Sequence, residues 1–413
     1  MNPIYNLGIS AYKLAVRLAA TRNKKARLML DGHSRTLSTL RQKLPAGESS
    51  IWIHASSLGE FEQGRPLIEK IKARNPKARI VLSFFSPSGY DVRKSYPLAD
   101  AVCYLPFDQP EAVSSFLDAV RPSMAIFVKY EFWGNYLHEL HRRQVPTYLI
   151  SAIFRPQQVF FKPWGGMFRD MLHCFTTIFV QNEESRLLLK QIGVRRVEVS
   201  GDTRFDRVVD IKNAAKKFDV IGQMTAGRPF TLVMGSSWQP DEDIVIPYFN
   251  SHPEMKLIIA PHEFDSQRLE ALKSRITRPV ELYSKATPQS AAGLDCLIID
   301  CFGILSSLYA YGQMAYVGGG FGAGIHNVNE AAVYGIPVVF GPKYGKFREA
   351  SDLIACGGGF SISDAGGFAA VMDRMLASHE QLNHSGTIAG NYIKSHTGAT
   401  DFIYNAIFGS KRP

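Results

Sequence analysis

No stretch of this chain is long and apolar enough to span a bilayer, which takes roughly 20 consecutive apolar residues. The N-terminus lacks the unbroken apolar core and small-residue cleavage site of a secretory leader, so a cytoplasmic protein is expected. Cysteine is scarce, five in 413 residues, with no CxxC pair and no Cys/His cluster at zinc spacing. Reduced thiols and no structural metal follow. The P-loop pattern GxxxxGK(S/T) is missing, and no GxGxxG follows the first strand, which disfavours a P-loop enzyme or a simple dehydrogenase. There is no RNA-binding motif or basic–aromatic strip, no repeat short enough for a solenoid, and no DxD-like carboxylate pair poised for a metal. Acidic residues are the minority, 37 against 47 Lys and Arg, for a net charge of +10. That balance favours an acidic partner: phosphates, nucleic acid or an anionic membrane.

What is present suits a globular protein of two domains, with 46% hydrophobic and 20% charged residues. Residues 1–30 place Ile4, Leu7, Ala11, Leu14 and Leu18 on one helical face, with Lys13 and Arg17 opposite. That stripe suits a core helix as well as a helix lying in a membrane surface; the basic cluster Arg22, Lys24, Lys25 and Arg27 favours the second. From 31 to 205, near-continuous apolar strands alternate with helices, the pattern of a parallel sheet covered on both faces. Residues 206–228 are lysine-bearing and weakly apolar and read as a linker. A second alternating series occupies 229–390. Residues 391–413, helical from Asn391 to Phe408, are expected to cross back and brace the first domain. The fold class is α/β, two doubly wound Rossmann-like domains with ligands in the cleft at the carboxyl ends of their strands.

Those strand ends carry the candidate chemistry. Ile51–Ala55 reads as a strand, Ser56-Ser57-Leu58-Gly59 turns, and Glu60 opens a helix. Glu60 is either an ordinary first-turn acid or a general base at the sheet edge. Glu131 ends another strand and faces the same side, while Trp133 reads as packing. In the second domain, a glycine run from Gly318 to Gly324, including Gly319 and Gly320, follows a strand. A helix starting near His326 and Asn327 would aim free N–H groups at an anion. Glu330, one turn in, could accept hydrogen bonds from ribose hydroxyls. Ser236, Ser237 and His262 end neighbouring strands as further donor-loop candidates.

Together the segments 54–60 (HASSLGE), 131–133 (EFW), 200–206 (SGDTRFD), 321–332 (FGAGIHNVNEAA) and 339–342 (VFGP) resemble the 3-deoxy-D-manno-octulosonic acid (Kdo) transferases. These are inverting glycosyltransferases of lipopolysaccharide assembly with the two-domain GT-B architecture. The resemblance implies Glu60 as general base, with Glu131 and Arg204 as transition-state stabilisers. It implies CMP contacts at Pro261 and His262, at Phe302, Gly303 and Ile304, and at Asn327, Val328, Asn329 and Glu330. It further implies CMP-Kdo as donor, a lipid A precursor as acceptor, no metal or other cofactor, no nucleic acid, and work at the cytoplasmic face of the inner membrane. Lys129 stands where the family often has an acid, Arg204 where it often has lysine, Ile304 where it has glutamate, and Ser151–Arg155 where it has Asn-Ala-Arg-Leu-Ser. The rival readings are a GT-B transferase or epimerase using a UDP-sugar, and a non-catalytic basic protein binding nucleic acid or membrane.

Overall fold

The computed structural model describes residues 3–45, 47–227 and 230–409. Two compact units emerge: unit 1 joins the chain up to Arg207 to the stretch from Thr397 onward, and unit 2 is Val208–His396. The expected ends at 1, 228, 229 and 413 lie outside the described residues.

Unit 1 is built on a seven-stranded sheet: β1 (Ser50–Ala55), β2 (Ile80–Phe84), β3 (Ala101–Tyr104), β4 (Pro122–Val128), β5 (Thr147–Ala152), β6 (Thr177–Val180) and β7 (Val197–Val199). The order is β3-β2-β1-β4-β5-β6-β7, and every pairing is parallel. Trp52, Phe84, Phe127 and Phe179 are sealed among the covering helices, as apolar strands of a two-faced sheet require. The order reverses between β1 and β4, and the segments leaving those two strands carry Glu60 and Glu131.

Unit 2 repeats the plan with β8 (Phe230–Ser237), β9 (Met255–Pro261), β10 (Val280–Leu282), β11 (Cys296–Ile298), β12 (Met314–Val317), β13 (Val338–Phe340) and β14 (Gly359–Ser361). Their order is β10-β11-β9-β8-β12-β13-β14, again parallel throughout. Here the reversal lies between β8 and β12, so Ser236 and the glycine run occupy the equivalent place.

Three segments differ from expectation. Residues 206–228 are largely helical, in Thr203–Asn213 and Asp219–Thr225, and Ile221 and Met224, three apart, are buried without exposure. The N-terminal segment is two helices, α1 (Pro3–Ala19) and α2 (Lys24–Lys43), so a boundary at residue 30 would cut α2. Asn23 starts α2 by accepting from the N–H groups of Lys25 and Ala26 at 2.9 and 3.2 Å. The C-terminal helix is also two, His379–Ser395 and Ala399–Phe408, broken at Gly398, whose φ of +106° suits glycine. The last helix belongs to unit 1. Ile403 is completely buried among Ile53, Phe61 and Leu67. Asp206 fastens its start, accepting from Gly398 N, Thr400 N and Thr400 Oγ1, each at 2.6 Å.

Candidate active site

The helix α3 (Leu58–Arg74) follows β1 after a two-residue turn and carries Glu60 in its first turn. The Ser57 N–H donates to Glu60 Oε2 at 3.1 Å, so the capping role is real. The same carboxyl sits in a charged neighbourhood. Burial pushes its pKa above the ordinary glutamate value and the nearby Glu131 adds to this, while His54 and the Ser56 and Ser57 amides act in the opposite direction. A carboxylate with raised proton affinity is suited to taking a proton from a substrate hydroxyl.

Glu131, only 7% exposed, lies just past β4. Its Oε2 accepts from His54 Nε2 at 2.9 Å and from Trp133 Nε1 at 2.6 Å. Trp133 packs as expected, its ring 4.6 Å from that of Phe85, but it also steers the carboxylate. Arg204 opens the helix Thr203–Asn213. Its Nε donates to Asp202 Oδ2 at 2.8 Å, and the buried Asp202 also takes the Arg204 N–H at 2.9 Å. Tyr130 ties the group together. Burial raises its pKa, Glu60 adds to this, and the Arg155 hydrogen bond and the charges of Arg155 and Arg204 oppose it. The Lys129 ammonium lies 5.4 Å from the Tyr130 ring centroid. Lys129 and Ser151, at the carboxyl ends of β4 and β5, hold φ of +70° and +53°, strained values for non-glycine residues. Unit 1 therefore gathers Glu60, Glu131 and Arg204, and adds His54, Tyr130 and Arg155.

Beside this site, α1, α2 and the segment after β3 enclose a cavity of about 350 Å³ lined by Lys13, Arg17, Leu30, His33, Leu37 and Phe107 among others. Burial lowers the His33 pKa to about 4, so its imidazole is neutral. Its ring meets that of Phe85 at 5.2 Å. Lys13 donates to Gln109 Oε1 at 2.6 Å, so the basic side of α1 faces the unit. The apolar stripe points out: Ile4, Leu7, Leu14 and Leu18 are 57–76% exposed.

Unit 2 treats its candidates unequally. His262 is exposed and stacks on Trp238 at 4.6 Å and on His326 at 4.5 Å, forming a ring cluster over the ends of β8 and β9. Burial, with His262 beside it, lowers the His326 pKa. Ser236, with φ of +53°, is partly open, while Ser237 is buried and donates to Glu242 Oε1 at 2.9 Å. Gly319 and Gly320 are buried. The Gly319 N–H goes to Asp241 Oδ2 at 2.9 Å, and a Cβ on Gly320 would lie 2.6 Å from the Gly341 backbone. Gly319 commits its amide to Asp241, and Gly320 is kept small by the close Gly341 backbone. No long helix starts at His326 either: the α-helix is Asn329–Ala332, a single turn, because the chain turns back toward β13. Pro261 and Val328 are buried, whereas Phe302 is 81% exposed, packs on Phe264, and is followed by an exposed Gly303 and a half-buried Ile304. Asn327 Nδ2 donates to Glu330 Oε1 at 3.1 Å. Asn329 is completely buried and neither side-chain polar atom has a hydrogen-bond partner, a state buried amides rarely keep unless a ligand or water supplies one.

With two carboxylates at one reversal point, residues 21–207 match the family model described as 3-Deoxy-D-manno-octulosonic-acid transferase (kdotransferase). That match spans just under half of the chain, and it covers β1 through β7. Relatives of similar length carry the same likeness across most of the chain. The 3-deoxy-D-manno-octulosonic acid transferase of Aquifex aeolicus is 25% identical over 365 residues, 86% of this chain and 94% of its own length. That of Bordetella pertussis is 26% identical over 377 residues, 86% of each chain. The UDP-GlcNAc 2-epimerase of Neisseria meningitidis superposes with a TM-score of 0.59 at 14% identity, covering 88% of this chain and 100% of its own. A putative UDP-N-acetylglucosamine 2-epimerase from Listeria monocytogenes gives 0.58 at 12% identity over 89% of this chain and 99% of its own. At such identities these two likenesses establish the shared fold and nothing finer.

The sequence reading missed His54 and Trp238. A histidine inside an otherwise apolar strand is itself a signal, since a buried polar side chain needs a partner.

Proposed function

We propose that this protein transfers Kdo from CMP-Kdo to a lipid A precursor, with inversion and without a metal, at the cytoplasmic face of the membrane. The observation that carries the reading is Glu60: a half-buried carboxyl of raised proton affinity beside Glu131, within the stretch 21–207 that matches the Kdo transferase family model. The acceptor hydroxyl attacks the anomeric carbon of Kdo, Glu60 takes its proton, and the bond to CMP breaks with its electron pair leaving on the phosphate. Arg204, Arg155 and Lys129 put positive charge near the reacting groups, which suits an anionic donor and a leaving group gaining charge. His262, Trp238, Asn329 and Glu330 are the nucleotide-holding candidates of unit 2, with Ser236, Phe302, Gly303, Ile304 and Asn327 around them.

The membrane part of the reading rests on α1. Its leucines and isoleucine stand in solvent on a protein of net charge +10, an arrangement that fits an anionic lipid surface. The cavity beneath it, apolar with Lys13 and Arg17 at its wall, suits a phosphorylated lipid.

The test is mass spectrometry of the product made by purified protein from CMP-Kdo and a tetraacylated, bisphosphorylated disaccharide acceptor. A mass gain of one or more Kdo units is expected, inhibited by CMP and not by UDP. Inhibition by UDP with no Kdo product would favour the UDP-sugar reading, which has the shared fold of the epimerases in its support.

A further inference from the structure

His54 is the penultimate residue of β1 and has no solvent exposure, yet it contacts polar groups at both ring nitrogens. In the sheet it stands level with Ser83 of β2 on one side and Phe127 of β4 on the other. Its Nδ1 lies 2.9 Å from Ser83 Oγ and 3.1 Å from Ser83 O. Its Nε2 lies 2.9 Å from Glu131 Oε2. Behind it, Trp52 Nε1 donates to Ser83 Oγ at 2.8 Å. The direction of this chain follows from what each group can do. Indole N–H only donates, so Ser83 Oγ accepts from Trp52. At the other end a carboxylate only accepts, so Nε2 carries the ring hydrogen and Nδ1 of the neutral ring takes the Ser83 hydroxyl hydrogen. Nδ1 then accepts, and the ring hydrogen sits on Nε2, where it is donated to Glu131. Should the ring gain a second proton, Nδ1–H finds the Ser83 carbonyl, and Nε2–H still serves Glu131. In both states one oxygen of Glu131 is held between two N–H donors, His54 from below and Trp133 from its own loop.

We propose that His54 is a positioning residue acting through Glu131, clamping that carboxylate in its place beside Glu60 for the glycosyl transfer inferred above. The four-residue line Trp52, Ser83, His54, Glu131 crosses β1, β2 and the segment after β4, so it locks Glu131 to the rigid middle of the sheet. The charged groups around Glu60 are Glu131 and His54, with Tyr130 linking it to Arg155 and Arg204. Glu131 strengthens the hold of Glu60 on a proton and positive charge on His54 weakens it.

The proposal rests on the transferase reading, so its test has one arm that needs no turnover. In free protein labelled with ¹⁵N-histidine, His54, assigned by its loss in His54→Gln, is expected as the Nε2–H tautomer, with both ring nitrogens shifting in Glu131→Gln. An Nδ1–H tautomer, or resonances indifferent to Glu131→Gln, overturns the proposal even if the protein proves not to transfer Kdo. In the kinetic arm, His54→Ala lowers kcat by at least about tenfold with the donor KM within about twofold, and His54→Gln recovers part of the loss. In a Glu131→Gln background, His54→Ala costs less than about twofold more, because its effect runs through the missing carboxylate. The same loss in both backgrounds, or an unchanged kcat, overturns the clamp. Ser83→Ala, which leaves Glu131 untouched and frees Nδ1, gives a milder loss in kcat and keeps the question decidable if His54→Ala does not fold.

Discussion

Glu60 performs two tasks with one carboxyl group, receiving the Ser57 amide and standing in the field of Glu131. Replacement by glutamine keeps the shape and the capping oxygen but removes the proton acceptor. We expect kcat to fall by about 10²–10⁴-fold with CMP affinity unchanged in calorimetry; retention of a third of the turnover would shift the role to Glu131. Wild-type turnover should fall on acidification, with a limb above the ordinary glutamate value. Stability runs the other way. A carboxyl whose folded pKa is raised binds its proton more tightly in the folded state, so it disfavours folding at neutral pH and ceases to do so below its unfolded pKa. Glu60→Gln should therefore melt no lower than wild type at pH 7, and any advantage should vanish in acid. In unit 2, Glu330→Ala is expected to weaken CMP by about 1–3 kcal/mol; unchanged calorimetric affinity would remove Glu330 from the nucleotide site. Glu60 and Glu131 were legible because strand ends of a parallel sheet are where ligands sit. His54 was not, because its partners Ser83 and Glu131 are 29 and 77 residues away, and only the sheet order brings them together.

At the scale of elements, α1 shows how a periodic stripe leaves its partner open. The sequence puts Ile4, Leu7, Leu14 and Leu18 on one face, but only the structure says that this face looks outward while Lys13 reaches Gln109. Replacing Leu7 and Leu14 by serine should reduce sedimentation with anionic vesicles severalfold and leave the melting temperature nearly unchanged, since neither side chain is in the core. A melting point lowered by many degrees would mean that the stripe is packed in solution. The longer strands were readable from their apolar runs. β10 and β14, three residues each at the sheet edges, carry too short a signal. The single turn Asn329–Ala332 was expected as a helix from His326 onward, because a glycine run followed by Asn327 and Glu330 three apart resembles a loop leading into a helix start.

For the whole molecule, the two-sheet plan was legible, and the expected domain end at 205 lies two residues from the unit end at Arg207; the helical character of the junction was not legible. Helix Thr203–Asn213 runs through Arg207, where the composition suggested a linker, because polar helices look like loops when only one face is buried. The net charge of +10 predicts that vesicle binding weakens as salt rises from about 0.05 to 0.5 M, since the screening length shrinks from more than 10 Å to a few. Binding insensitive to salt would leave the apolar stripe as the sole attachment.

The clasp of Asp206 on the helix Ala399–Phe408 bears on how the protein is made. A ribosome has emitted all seven strands of the first sheet long before it reaches Ile403, and in between it must deliver the whole of unit 2. During that interval, of order ten seconds or more at about 5–20 residues per second, the nascent first unit lacks its last buried wedge and leaves Ile53, Phe61 and Leu67 partly uncovered. Unit 2, contiguous in the gene, can close its core without waiting. The first part of the chain to be born is thus the last to be finished.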